Sequence, residues 1–99
     1  MRIRRCAAAL LFLLVVMRSA HAADAGFQLN VDLPGDDLRG FDLPKARPAL
    51  CREACANVQE CRAWTFVQPG IHGPYATCWL KKAIPADRSS MCCISGVKP

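Results

Sequence analysis

The stretch CREACANVQECRAWTFVQPGIHGPYATCWLK, residues 51–81, decides the fold. Its cysteines, Cys51, Cys55, Cys61 and Cys78, run C-x3-C-x5-C and then a distant fourth. Residues four apart share a helix face, so a helix here would point Cys51 and Cys55 the same way. Leu50, Cys51, Ala54, Cys55 and Val58 extend that stripe at i, i+1, i+4, i+5 and i+8, the pattern of a helix lying on a core. Pro48 suits the first turn. Arg47 is a poor N-cap, because it offers no side-chain acceptor to the free backbone N–H groups. The helix is expected to end by Glu60.

Beyond the helix, residues 62–67 are rich in aromatic and β-branched types and read as a strand. Trp64 and Phe66 fall on one face; Ala63, Thr65 and Val67 fall on the other. Residues 68–76 carry Pro69-Gly70 and Gly73-Pro74 and read as a long hairpin loop. Residues 77–81 return as a strand, with Cys78 and Leu80 on one face and Trp79 on the other. The stretch therefore reads as a helix stapled to a β-hairpin. Residues 82–91, with Pro85 and Ser89-Ser90, are expected to loop before a last strand over residues 92–97. On the other side, Leu29, Val31 and Leu33 alternate in phase, Pro34-Gly35 turns the chain, and Phe41 and Leu43 alternate again. The expected class is α+β, a curved antiparallel sheet of about five short strands against one helix.

The chain of 99 residues opens with Arg2, Arg4 and Arg5, then an apolar run over residues 6–17, then Ala20-His21-Ala22. That order is the layout of a signal peptide with its cleavage site. Twelve apolar residues make about 18 Å of helix, short of a ~30 Å hydrocarbon core. Residues 1–22 are expected to leave on export, so residues 23–99 form one domain in the periplasm or outside the cell, with no stable membrane insertion. The formal charge of +5 falls with them. Nine basic and eight acidic residues remain, a balance of +1, which removes the case for a nucleic-acid partner. Of seven cysteines, Cys6 also leaves. Six in a short exported chain read as a disulfide framework, which a domain this small needs.

The pattern C-x3-C-x5-C-R-A-W-T-F, then C-W-L-K, then I-S-G-V-K resembles a PAN/Apple domain. It is most similar to the short bacterial form that also occurs beside alpha-macroglobulin-like proteins. The resemblance covers roughly residues 30–98. It implies a curved antiparallel sheet cradling one helix, and a non-catalytic module that binds proteins or carbohydrates. By position it also implies the pairings Cys51–Cys78 and Cys55–Cys61. The chain departs from the family in lacking the outer cysteine pair that ties the termini, which suggests looser ends. It carries Cys92-Cys93 instead.

A zinc site is the rival reading of the cysteines, but thiolate sites usually show C-x2-C knuckles, and export favours disulfides. In the loop-closure model, a Cys51–Cys78 bond closing 28 residues is worth about 3.6 kcal/mol, and a Cys55–Cys61 bond closing seven about 2.4 kcal/mol. Cys92–Cys93 is the simplest closure of the remaining pair. Free thiols or a covalent dimer are the alternatives. A vicinal bond would be strained, since consecutive Cα atoms lie only ~3.8 Å apart, and would be the more easily reduced.

No cofactor is expected, and no catalytic motif of the hydrolase, zinc-protease or phosphate-loop kinds occurs. His72 reads as a solvated loop residue, and Asp32, Asp36, Asp37 and Asp42 as turn aspartates in preference to a calcium site. Trp64 and Phe66 read as core. Trp79, Tyr75 and Lys81 are the candidate ligand-binding residues; the rival reading packs Trp79 beneath residues 82–91. The first functional reading is an exported module binding a protein or glycan. A redox-active or redox-sensing protein using Cys92-Cys93 is the second, and a small secreted inhibitor or toxin the third.

Overall fold

The structure is a computed structural model that describes residues 26–99; the expected signal peptide and the Ala22–Ala23 cleavage point lie outside the described residues. In chain order the elements are β1 (Gln28–Asp32), β2 (Asp37–Asp42), α1 (Pro48–Ala56), β3 (Ala63–Val67), β4 (Thr77–Lys81) and β5 (Arg88–Val97). The five strands form one antiparallel sheet in the order β1-β5-β3-β4-β2.

Helix α1 begins at Pro48, and Arg47 makes no side-chain cap bond. It stops at Ala56, one turn before the expected limit of Glu60. The N–H groups of Asn57 and Val58 close its last turn on the carbonyls of Glu53, Ala54 and Cys55. Cys51 and Cys55 are its two buried residues. Cys51 bonds to Cys78 on β4, and Cys55 to Cys61 just before β3. Both pairs have Cα–Cα distances of 5.3 Å, inside the usual ~4.4–6.8 Å range. The helix is thereby stapled to the hairpin, over a core of Trp64, Phe66, Cys78, Leu80, Leu43 and Ala76. Phe27 closes one end of this core, its ring edge-on to Trp64 at 5.5 Å and beneath the Arg52 guanidinium at 5.3 Å.

The face away from the helix is also covered. Ala63, Thr65 and Val67 of β3 are as buried as Trp64 and Phe66. The cover comes from the link between β1 and β2. These strands lie on opposite edges of the sheet, yet only residues 33–36 join them. Five residue steps reach at most about 18 Å, whereas four strand spacings of ~4.8 Å in a flat sheet need about 19 Å. The positive φ angles of Gly35 and Asp36 shorten the reach further. The sheet must therefore curl until its edges approach, and the link runs across the face away from the helix. Leu33 is driven to 2% exposure there, outside the helix-side core. Ser95 fastens the same crossing: its hydroxyl donates to the Val31 carbonyl at 2.7 Å, which leaves the Thr65 hydroxyl to donate to Ser95 at 2.8 Å.

Three local expectations need correction. Leu29, Val31 and Leu33 do not stay in phase, because Asn30 takes a left-handed φ of 59° and breaks the β1–β5 register; Leu29 is left 67% exposed. Residues 82–91 are not all loop, since β5 starts at Arg88 and its first half pairs with β1. Where the described residues begin and end, the chain is tied. Gln28 pairs with Ser95, and the Lys98 N–H donates to the Arg62 carbonyl at 2.8 Å, so strand pairing does the tying that a further disulfide would have done.

Candidate functional site

By the two-residue period of a strand, Trp79 and Lys81 leave β4 on the face opposite Cys78 and Leu80. Trp79 faces Thr65 on one side and Gly40 of β2 on the other. Gly40 lets the indole lie down, because a methyl group there would overlap the ring. The ring stays half-buried and borders a cleft of ≈ 210 Å³.

His72, from the hairpin loop, stands edge-on to Trp79 with ring centroids 6.3 Å apart and lines the same cleft. Asp32 reaches it from the end of β1, Pro34 from the β1–β2 crossing, and Asp37 from the start of β2. Val67, Cys92 and Cys93 complete it from β3 and β5. The cleft therefore exists only because the crossing lies over the sheet. Its lining is mixed: a tryptophan, a histidine, two aspartates, a lysine and the bonded cysteine pair.

Lys81 lines the cleft but is not a free cation. Its side chain is 4% exposed, and its ammonium donates to Asp37 Oδ1. Arg88, at the mouth of β5, lies 3.9 Å from Asp32. Tyr75 is elsewhere: it is 60% exposed and borders a separate depression with Asp42, Leu43 and Pro44. Of the trio Trp79, Tyr75 and Lys81, the structure brings together only Trp79 and Lys81. In the sequence Asp32 and Asp37 read as turn residues, and His72 as a residue of the loop neighbouring Trp79 that suits polar recognition. Their separation along the chain, residues 32 to 72, concealed that one crossing and one loop meet over β4. Among the described residues, no three or more His, Cys, Asp or Glu side chains gather into a group that could hold a metal ion.

The Cys92–Cys93 bond sits where β5 is least regular. Leu29 pairs with Ile94, but Val31 pairs with Ser89, so residues 90–93 all oppose the single residue Asn30. On the other side Cys93 stays in register with Val67, and the Cys92 carbonyl accepts the Gln68 N–H at 3.0 Å. The bonded cysteines thus occupy a bulge between two ladders, where the ordinary alternation of side chains lapses.

A family model for the PAN domain matches residues 31–81, which is 51 of the 99 residues. The chain belongs to the PAN domain family. PAN domains are generally modules that bind proteins or carbohydrates and are typically non-catalytic. The match runs from the end of β1 through β4, taking in both buried disulfides and Trp79; β5, with Cys92 and Cys93, lies beyond it. No curated protein matches the chain. Buried disulfides in a PAN domain fit an extracellular or secreted setting, and among the described residues no helix is long and apolar enough to cross a membrane.

Proposed function

We propose that this PAN domain is an exported, non-catalytic binding module that takes its protein or carbohydrate ligand in the cleft beside Trp79. The half-buried indole carries the reading. On a sheet face where Thr65, Val67, Lys81, Cys93 and Ser95 are all buried, Trp79 keeps part of its ring open. An indole supplies a broad apolar face at little entropic cost, which suits the flat side of a sugar ring or the edge of a peptide. Asp32 and His72 beside it offer hydrogen bonds that fix orientation. At ≈ 210 Å³ the cleft is below the ~300–1,000 Å³ of pockets that swallow a whole small molecule. It fits one sugar ring or one side chain of a larger ligand. Tyr75 and the neighbouring depression give that larger ligand a second foothold.

Residues 1–22 direct export in this reading, and the working protein is residues 23–99, periplasmic or secreted. N-terminal sequencing of the exported protein should begin at Ala23; Met1 or Arg2 would overturn export by cleavage. The ligand is sought by pull-down from envelope extract. Binding and thermal melting of Trp79→Ala are then compared with the parent. Lost binding with a preserved melt supports the cleft, and undiminished binding removes it.

A further inference from the structure

The three disulfides differ in what surrounds them. Cys51, Cys55, Cys61 and Cys78 are 0–1% exposed within the helix-side core. Cys93 is as buried as these, at 1%, but Cys92 is only half-buried, and the Cys92–Cys93 bond borders an open cleft. The same bond sits in the β5 bulge, where four residues oppose one. Ser90 donates to Cys92 Sγ at 3.1 Å, so a hydroxyl already stands at the more accessible sulfur. Accessible disulfides are the labile ones, and buried ones resist exchange.

We infer that Cys92–Cys93 is a dithiol-reducible site that sets the shape of the cleft, while the two buried disulfides hold the fold. A thiolate of the dithiol attacks Cys92 Sγ. The Cys92–Cys93 bond breaks, and Cys93 leaves as a thiolate and takes up a proton. The second thiolate of the dithiol then attacks its own sulfur in the mixed disulfide, closes the dithiol as a disulfide, and releases Cys92, which is protonated in turn. Two electrons pass to the protein and two protons are taken up with them.

The structural consequence follows from strand geometry. Adjacent strand residues direct their side chains to opposite faces. Bonded, the two cysteines both line the cleft. Once the bond is cut, Cys93 keeps its place opposite Val67, and Cys92 is free to leave the cleft side. The bulge opposite Asn30 loses its cross-link, and the side of the cleft facing His72 and Trp79 recedes. The inference stands apart from any ligand and is tested without one.

The exported, oxidised protein is treated with dithiothreitol in the absence of denaturant, alkylated with N-ethylmaleimide and mapped by mass spectrometry. The expected result is alkylation of Cys92 and Cys93 at least tenfold faster than of the four buried cysteines, with a cooperative melt retained. The His72 ring proton resonances should shift on reduction and return on reoxidation. Dithiothreitol should leave them unmoved in Cys92→Ala/Cys93→Ala. Alkylation of the buried cysteines at the same rate, or of the pair only on unfolding, overturns the inference. So does selective reduction with His72 unmoved. If the double variant does not fold, the parent's alkylation map and His72 shifts decide alone.

Discussion

Gly40 and Gly96 are where single atoms matter most. A methyl group on Gly40 would overlap the outer part of the Trp79 ring, which can swing away. Gly40→Ala should therefore cost only about 1–2 kcal/mol of stability, in the range for mild overpacking, yet displace the indole from the cleft and weaken ligand binding. At Gly96 the obstacles are the Gly26 carbonyl and the Trp64 indole, which is 1% exposed and has no free space to move into. Gly96→Ala should cost about 2–3 kcal/mol, and at ~4–8 °C per kcal/mol for a domain this small its melt should fall by roughly 10 °C or more. Calorimetry on the two variants checks the contrast. The Lys81–Asp37 pair offers another. Asp37→Ala strands an ammonium that is 4% exposed. Lys81→Met removes the charge together with the cost of burying it. Breaking a buried pair costs about 3–5 kcal/mol, discounted here because Asp37 is half exposed. Asp37→Ala should thus lose about 2 kcal/mol, and Lys81→Met less. The opposite order in urea melts would mean that water reaches Lys81 freely.

The helix and its hairpin form the element on which stability turns. The helix has nine residues and no side-chain N-cap, so it is too short to persist alone. Its position is set by Cys51–Cys78 and Cys55–Cys61, worth about 3.6 and 2.4 kcal/mol in the loop-closure model. A small domain has ~5–15 kcal/mol in all. Cys51→Ala/Cys78→Ala should accordingly abolish the cooperative melt near body temperature. Cys92→Ala/Cys93→Ala, which touches neither staple, should leave it within about 2 kcal/mol of the parent. Far-UV circular dichroism against temperature separates the two. These elements were the most legible part of the sequence. The i, i+4 cysteines, the helical stripe and the alternation of Trp64-Phe66 and Cys78-Leu80 all obey local periods. Strand β5 was half hidden. Its first residues, with two serines and an arginine, lack a β pattern, and their pairing with β1 depends on a bulge that no local period records.

For the whole molecule the decisive contact is the one between its first and last strands. β5 stands between β1 and β3 and makes both ladders. Although it lies outside the stretch matched to the PAN family, the matched part cannot close without it: β1 would lose its partner, and β3 would become an exposed edge. Truncation after Asp87 should therefore yield a chain that is soluble only transiently and lacks a cooperative melt. A stable, monomeric truncated form in gel filtration and calorimetry would show that the helix and hairpin fold unaided.

Sequence alone determined the class and the staple. The helical and strand periods, the Pro-Gly turns and the C-x3-C spacing are local, and local rules suffice to read them. Together with the resemblance to PAN domains, they placed the α+β fold and its two buried disulfides. Only the tertiary structure decided which residues share the candidate site. A link of four residues between opposite edges of the sheet forces the sheet to curl and the link to cross its face. That crossing brings Pro34, with Asp32 at the end of β1, to the cleft beside Trp79 that His72 and Cys92–Cys93 also line, while Tyr75 lies outside it. Which distant residues meet depends on strand order and register, and those are settled by the summed pairing of all five strands rather than by any stretch of the chain.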